Sequence, residues 1–186
     1  MRKLFFGVIC STILFACNNK PTETTTSSNN DSSSSSGKMS QQATEFADKK
    51  YMDVGRNSLA LMQSGDVDGW MNQFADSAVY LWSAGDSLKG KTAIAAYWKN
   101  RRINVIDSIT FSNDIWLPIK INQPQKGPDM PGIWLLGWYQ VYSKYKTGKS
   151  LTFWVHADWH FNSEDKVDRA IQYIDRLPIN AAAGVK

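Results

Sequence analysis

The stretch TGKSLTFWVHADWHFNSEDKVDRAIQYID, residues 147 to 175, decides the fold of this chain. Its residues from 151 to 161 alternate between two sides, one of them apolar throughout, and a second apolar run follows from 167 to 174. Four polar residues, Asn162-Ser163-Glu164-Asp165, separate the two runs, and the turn Lys146-Thr147-Gly148-Lys149 precedes the first run. Turns this short join neighbouring strands that run antiparallel. The stretch therefore predicts two strands of an antiparallel sheet.

The residues before this hairpin show two different patterns. From residue 103 onward, apolar runs alternate with turns, which predicts further strands at 103–111, 115–121 and 133–145. Before residue 103, apolar side chains recur at three- and four-residue spacing, which predicts three helices, around 47–62, 67–74 and 92–102. A strand at 78–82 separates the second helix from the third. Three N-terminal helices and a long, mostly antiparallel sheet indicate an α+β fold with the helices packed on one face of the sheet.

One motif in the helical part suggests a nucleotide. The segment GDSLKGKT, residues 85 to 92, satisfies the G-x-x-x-x-G-K-[ST] pattern of phosphate-binding loops and follows a predicted strand. A phosphate loop belongs to a parallel sheet whose strands are joined by further helices. Because only strands and turns are predicted after residue 103, we interpret Gly85 as a turn glycine. We predict that the chain binds no nucleotide.

The first 16 residues have the pattern of an export signal. Arg2 and Lys3 precede an apolar run, residues 4 to 15, that is too short to span a bilayer as a helix. The run ends in Leu14-Phe15-Ala16-Cys17, which resembles the bacterial lipobox, where the chain is cleaved before a cysteine that becomes lipid-modified. The sequence therefore predicts a signal peptide at 1–16 and a lipidated Cys17. An ordinary secretory signal with an incidental cysteine is the alternative.

Residues 17–40 are predicted to form the lipidated Cys17 and a disordered tether. Residues 18–40 are mostly Ser, Thr and Asn, with Met39 as the one large apolar side chain, so they cannot bury enough apolar surface to offset the ordering entropy. Asn18 stands where, in the enterobacterial sorting rule, an Asp retains lipoproteins at the inner membrane. We therefore expect a domain at 41–186 in the cell envelope, anchored by lipid to the outer membrane of a Gram-negative bacterium.

Charge and cysteine content restrict the function of the domain. After removal of the signal, nineteen basic and seventeen acidic residues remain, so charge gives no support for binding to nucleic acid. Cys10 leaves with the signal and Cys17 is acylated, so no disulfide can form inside the domain. All eight tryptophans lie within the domain. Such a content is expected of a large core or of an apolar cavity.

Three segments carry the order and spacing of motifs of a known superfamily. They are SGDVDGWMNQFADSAVYLW (64–82), LKGKTAIAAYWKNRR (88–102) and the hairpin quoted above. Together they are similar to the nuclear transport factor 2-like superfamily, especially its SnoaL-like branch, over about residues 45–176. The resemblance implies a cone-shaped fold that encloses a pocket, and a homodimer through the outer face of the sheet. The superfamily includes isomerases, cyclases, dehydratases, epoxide hydrolases and non-catalytic pockets, so the fold alone does not give the function.

The ketosteroid isomerases of this superfamily provide a test for catalysis. Their site needs a carboxylate base on the first strand, a tyrosine on the first helix and a second acid on a late strand. The resemblance assigns these three places to Trp82, Ser58 and Ala157, and none of the three side chains retains the chemistry. We therefore predict no catalytic residue and no cofactor.

The strand at 154–161 contains a candidate metal site. On a strand, His156, Asp158 and His160 point to the same side, with neighbours roughly 7 Å apart, a spacing that could chelate a divalent ion. The opposite side of the strand is apolar and must face the core. We therefore interpret the His-Asp-His row as a solvated or dimer-interface row on the outer face of the sheet and predict no metal. A metal site and a catalytic histidine are the alternatives.

Aromatic side chains from separate elements are predicted to converge inside the cone. The candidate ligand-binding residues are Tyr51, Ser58, Trp82, Trp98, Ala157 and Trp159. These features favour a lipid-anchored protein that binds a small hydrophobic molecule, or a partner, without reacting it. One alternative is that the rings only fill the core. The other is an isomerase, cyclase or hydratase whose acid and base residues the sequence pattern does not reveal.

Overall fold

The structure, a computed structural model, describes residues 42–124, 126 and 130–185. The predicted signal peptide (1–16), Cys17 and the tether (17–40) lie outside the described residues. Within these residues, no helix is both long enough and apolar enough to cross a membrane.

The described residues form seven strands and four helices. The strands are β1 (Thr44–Phe46), β2 (Phe74–Trp82), β3 (Ser87–Lys89), β4 (Ile106–Ile121), β5 (Gly132–Tyr145), β6 (Ser150–Phe161) and β7 (Val167–Tyr173). The helices are α1 (Lys50–Ser64), α2 (Val67–Met71), α3 (Lys91–Asn100) and α4 (Arg176–Ala183), and a π-helical turn, Arg101–Val105, joins α3 to β4. This arrangement confirms the predicted α+β class.

The strands form one curved sheet in the order β1-β4-β5-β6-β7-β2-β3. Every neighbouring pair is antiparallel except β2 and β7, which run parallel. The predicted strands at 103–111 and 115–121 are one strand, β4, with a bulge between Ser112 and Ile115 at which Asn113 adopts a positive φ of 55°. The prediction that this strand begins at residue 103 is wrong, because residues 101–105 continue from α3 as the π-helical turn.

The core lies between the inner face of the sheet and the helices. On β6 the apolar side of the alternation supplies Val155, Ala157, Trp159 and Phe161, all of which are buried. The facing side chains of α1 include Leu59 and Met62, at positions one helical turn apart. Alternate residues of β6 and residues one turn apart on α1 therefore contribute to one apolar layer.

The fourth helix was not predicted from the sequence. Asp175 begins it, because its carboxylate accepts a hydrogen bond from the backbone N–H of Leu177, and Gly184 ends it with a positive φ of 70°. Ile179 and Ala182 turn inward and are buried. These are standard helix start and stop signals, but the helix is short and directly follows a strand. It closes one side of the core.

The segment GDSLKGKT forms a hairpin and the start of a helix. Gly85 has a positive φ of 95° in the turn between β2 and β3, and Gly90 has a positive φ of 84° at the N-terminus of α3. Between them, Ser87 to Lys89 pair with β2 in antiparallel register. This backbone belongs to a sheet ladder rather than to a loop wrapped around an anion. The absence of nucleotide binding stays a prediction.

Candidate ligand cavity

A cavity lies between the inner face of the sheet and helices α1, α3 and α4. Its volume is about 80 Å³, several times the roughly 10 to 15 Å³ that a single water molecule needs on this scale. Most of the side chains that line it are aromatic or aliphatic. The cavity is therefore large enough for a small organic group and mostly offers apolar contact.

Aromatic rings from β2 and α3 form one wall of the cavity. The ring of Tyr80 lies 5.0 Å from that of Trp82 and 5.9 Å from that of Trp98, and the ring of Tyr97 lies 5.1 Å and 5.4 Å from the same two indoles. These interplanar angles run from 53° to 88°, so the rings meet mostly edge to face. Such a network of ring contacts holds the side chains of this wall in place. Trp159 of β6 also lines the cavity and packs against Trp116, with ring centres 5.7 Å apart.

Four of the six side chains predicted from the sequence to bind a ligand line this cavity. They are Ser58, Trp82, Trp98 and Trp159. Tyr51 does not reach it, because its hydroxyl donates to Asp165 Oδ1 at 2.5 Å and its ring packs 4.7 Å from that of Phe161. Ala157 is buried on the inner face of β6, but its methyl group, between the larger side chains of Val155 and Trp159, is not part of the lining.

Two buried tyrosines of the cavity, Tyr80 and Tyr139, hold their protons at neutral pH. Burial raises the pKa of Tyr80 and the pKa of Tyr139 well above the usual range. Among the described residues that line the cavity there is no Asp, Glu or His. A general base needs a pKa near the working pH, and the described lining supplies none.

Two polar atoms in the wall were missed by sequence reasoning. Gln172 Oε1 and Trp98 Nε1 are buried and have no hydrogen-bond partner among the described residues. Gln172 lies on β7, in register with Ala157 of β6 and Trp82 of β2. A polar residue at an inward position of a predicted strand is the signal that could have identified it. In contrast, Ser58 is satisfied, since its hydroxyl donates to Gln73 Oε1 at 2.6 Å.

Two arginines also line the cavity. Arg176, at the start of α4, donates to both carboxylate oxygens of Asp86 at 2.7 and 2.5 Å, and its guanidinium carbon lies 5.0 Å from the centre of the Trp82 ring. Arg101, at the start of the π-helical turn, lies with its guanidinium carbon 5.8 Å from the centre of the Tyr97 ring. Sequence reasoning missed Arg176 because it missed α4.

The His-Asp-His row of β6 is not a chelating row. His160 Nδ1 lies 2.6 Å from Asp168 Oδ1 and its Nε2 lies 3.1 Å from the carbonyl oxygen of Pro131. His156 is stacked between Trp138 and Tyr173, with its Nε2 2.9 Å from Asp158 Oδ1. Burial raises the pKa of Asp158. Among the described residues, no group of three His, Cys, Asp or Glu side chains is placed to hold a metal ion.

The interpretation of this row as solvated or at an interface is wrong for His160. Only 5% of this residue is exposed, because the chain itself covers it: Trp134 lies beside the imidazole, with ring centres 5.1 Å apart, and the Pro131 carbonyl caps it. Trp154, on the same side of β6, is 53% exposed, as the alternation predicts.

Comparison with known proteins identifies the fold. Neither the protein-family models nor the curated protein sequences give a match. Among solved structures, a candidate isomerase from Bacillus subtilis aligns with a TM-score of 0.57 at 17% identity, over 74% of this chain and 94% of that one. A candidate polyketide cyclase from Xanthomonas campestris pv. campestris aligns with a TM-score of 0.56 at 13% identity, over 71% of this chain and 95% of that one.

A third structure extends the comparison to a protein described by its fold alone. It is a nuclear transport factor 2-like protein of unknown function from Burkholderia pseudomallei, with a TM-score of 0.56 at 13% identity, over 71% of this chain and 95% of that one. At these identities the similarity establishes a shared fold. The structure is therefore consistent with the nuclear transport factor 2-like fold that the sequence motifs predicted.

Proposed function

We propose that this protein binds a small, largely apolar molecule in the aromatic cavity without reacting it. The observation that carries the proposal is the composition of the wall: the described lining holds rings, aliphatic side chains, hydroxyls, amides and two arginines, but no carboxylate or imidazole. Tyr80 and Tyr139 keep their protons at neutral pH, since burial raises the pKa of both phenols. Such a wall provides contact area and orientation but no proton acceptor.

The apolar wall is sufficient for useful affinity. Burial of apolar surface contributes roughly 25 cal/mol per Å² before the cost of association is subtracted. A flat ring system in contact with Trp82, Trp98 and Trp159, all of which line the cavity, would have much of its apolar surface removed from water. Because the edge-to-face contacts already hold the rings of the wall in place, these side chains lose less entropy when a ligand binds. We therefore expect micromolar binding of a ligand the size of naphthalene.

A second candidate function is catalysis of the isomerase, cyclase or hydratase kind. It is favoured by the descriptions of proteins with a similar fold, since two of them are a candidate isomerase and a candidate polyketide cyclase. In this chain, Trp82 and Ser58 are in the cavity wall at the places where the resemblance would put a base and a tyrosine. A reaction here would have to rely on neutral donors, such as the hydroxyls of Tyr80 and Tyr139, with no base from the described lining.

The binding proposal is tested by two matched tryptophans of β6. Trp159 lines the cavity and is 5% exposed, whereas Trp154 lies on the outer face and is 53% exposed. Titration calorimetry with neutral 2-naphthamide is expected to show saturable binding that Trp159→Leu weakens at least about tenfold and Trp154→Leu leaves unchanged. Thermal melts of both variants verify that they are folded. Binding that is equally sensitive to both substitutions, or to neither, would place the ligand elsewhere.

Turnover assays separate the two candidate functions. If the protein only binds, ketosteroid and epoxide substrates incubated with the wild-type chain remain unchanged. Trp82→Asp introduces a carboxylate at the place of the isomerase base, at the cost of part of the wall. Turnover by the wild-type chain that Trp82→Asp does not raise would mean that other acids act in the cavity, and the catalytic alternative would then replace the binding proposal.

We also propose that Cys17 anchors the domain in the cell envelope, with the outer membrane as its location. The support is the Leu14-Phe15-Ala16-Cys17 ending and the polar segment that follows it. Mass spectrometry of the amino-terminal peptide from membrane-extracted protein should show acyl chains on a chain that begins at Cys17. A peptide that carries no acyl chain, or that begins elsewhere, would contradict the anchor.

A further inference from the structure

The charges that face the cavity do not balance. Two arginines, Arg101 and Arg176, line it, whereas its described lining contains no acidic residue. Arg176 is compensated from outside the lining by the two-oxygen contact with Asp86. For Arg101, no carboxylate of the described residues lies within ion-pair distance of its guanidinium. One positive charge in the cavity wall is therefore left uncompensated.

Two hydroxyl-bearing residues line the same cavity as Arg101, and one of them lies close to its charge. Burial raises the pKa of the Tyr145 phenol, and the nearby positive charge of Arg101 opposes that rise. Tyr145 and Ser143 are each 1% exposed, and both line the cavity. One cation and two hydroxyls thus form a polar pole.

The local backbone and the walls position this pole. Arg101 is the first residue of the π-helical turn that follows α3, and π-helical turns often occur at functional sites. Its guanidinium lies beside the Tyr97 ring, at 5.8 Å from the ring centre, and Tyr97 also contacts the indoles of Trp82 and Trp98. The charge is therefore adjacent to the apolar wall, where an amphipathic molecule can meet both at once.

We propose that the ligand of this cavity is an amphipathic anion, with an aromatic or alicyclic body against the tryptophans and a carboxylate against Arg101. The inference rests on the proposed binding function and specifies its ligand class. An arginine fork matches the two oxygens of a carboxylate, and the neighbouring hydroxyls of Tyr145 and Ser143 can donate to the same group. The apolar surroundings strengthen the attraction, since charges interact more strongly where water is partly excluded. An acidic ligand also supplies the charge that the described wall lacks.

The test compares two ligands that differ in charge and hardly in shape, 2-naphthoate and 2-naphthamide. Calorimetric titrations use the full chain in detergent, with a detergent blank, at pH 7 and low salt. We expect 2-naphthoate to bind at least about tenfold more tightly than 2-naphthamide, and added salt to reduce this preference. Arg101→Gln should abolish the preference with little change in 2-naphthamide affinity, whereas Arg101→Lys should retain part of it.

The control removes a positive charge from the same helix outside the cavity. Lys99 pairs with Asp68 at 2.6 Å and does not line the cavity, so Lys99→Gln should leave the preference unchanged. Equal affinities for the two ligands in the wild-type chain, or a preference that survives Arg101→Gln, would overturn the anionic ligand while the binding function stands. If neither ligand binds, both the binding function and the inference fail. If both charge deletions reduce the preference equally, general electrostatic attraction explains it and the site at Arg101 is rejected.

Discussion

At the scale of single residues, two glycines make room for one tryptophan. Trp116 of β4 packs its indole against Gly55 of α1 and Gly137 of β5. A Cβ added at Gly55 would lie 2.7 Å from the indole, and one added at Gly137 would lie 2.2 Å from it. Because Trp116 in turn packs against Trp159, this slot also positions a side chain of the cavity wall. Sequence patterns predicted the strands and α1 but not this pairing, since the contact joins residues far apart in the chain.

The slot predicts a destabilising effect of the smallest possible substitution. Gly55→Ala should lower the free energy of unfolding by about 1 to 3 kcal/mol through overpacking, although alanine in a helix is normally favoured over glycine by about 1 kcal/mol. Gly137→Ala, with the closer contact, should lower the free energy of unfolding by at least as much. Denaturant titrations, fitted with one common dependence of that free energy on denaturant concentration, measure both losses. A stability gain for Gly55→Ala, as helix propensity alone predicts, would show that the indole is not held in this way.

Tyr51, which the sequence predicted to bind a ligand, takes part in a pH-dependent contact outside the cavity lining. Asp165, in the β6–β7 turn, accepts from Lys50 Nζ at 2.6 Å and from the Tyr51 hydroxyl, and these bonds, Lys50 first, lower the pKa of its carboxyl. A lowered folded-state pKa contributes stability above the unfolded value near 3.9, which is lost as the pH falls through the folded value. The contact ties the hairpin to α1. Tyr51 lies outside the cavity lining because its side chain is directed to Asp165.

Removal of the Asp165 charge should therefore lower the free energy of unfolding only at higher pH, where the carboxylate is ionised. Asp165→Asn keeps a residue that tolerates the positive φ of 56° at this site. Because more than half of the aspartate side chain is exposed, we expect the free energy of unfolding to fall by less than about 1 kcal/mol at pH 7. This loss should shrink toward zero as the pH falls through the lowered pKa of Asp165. Urea titrations across this range measure the difference. A loss that is independent of pH would mean that shape, rather than charge, matters at this turn.

At the scale of elements, the sequence patterns predicted the regular strands and helices but not the irregular or short ones. The β6–β7 hairpin was predicted because its alternation and turns are local. The π-helical turn was predicted as strand, since Ile103 and Val105 fit an apolar alternation as well as the end of a helix. Helix α4 was missed because it is short and follows a strand without a loop. Arg101 and Arg176, the two cations of the cavity, lie on these two pieces.

An ion pair joins the β2–β3 turn to α4, and we propose that it acts as a clamp on a bound ligand. The β2–β3 turn carries Asp86, and α4 carries Arg176, whose guanidinium lies over Trp82. Exposed ion pairs contribute up to about 1 kcal/mol, so Asp86→Asn should raise the dissociation rate of 2-naphthamide about two- to fivefold in stopped-flow experiments. Asp107→Asn, which removes an exposed contact with Lys144 and Lys146 outside the cavity lining, is the control. Equal rates for both variants would exclude a clamp.

At the scale of the whole molecule, the two faces of the sheet have different environments. The inner face closes the cavity, whereas the outer face leaves several large apolar side chains in solvent: Ile115, Tyr142, Trp154 and Tyr173. Contiguous exposed apolar surface commonly marks an interaction site. The sequence predicted the exposed Trp154 from the alternation of β6 alone. The extent of the patch depends on the register of β4, β5 and β7, which the sequence did not give.

The outer face is proposed to pair two copies of the chain. Light scattering on residues 41–186 at tens of micromolar should give the mass of a dimer, and Trp154→Asp should shift it toward a monomer, since a carboxylate would be buried without a partner. Lys149→Asp, in the β5–β6 turn and thus away from the apolar patch, should leave the mass unchanged. A monomeric wild-type chain would reject the dimer, and a dimer that survives Trp154→Asp would move the interface to another face.

The cavity, with its described wall of rings and without a base, is the feature from which the account of function follows. Its most direct test is native mass spectrometry of the full chain purified from the cells that naturally produce it. We expect the protein to carry one small molecule per domain, and the same mass to be recovered after prolonged incubation of the isolated complex. A molecule that is released with a changed mass, or one whose occupancy is unaffected by Trp159→Leu, would contradict binding without reaction in this cavity.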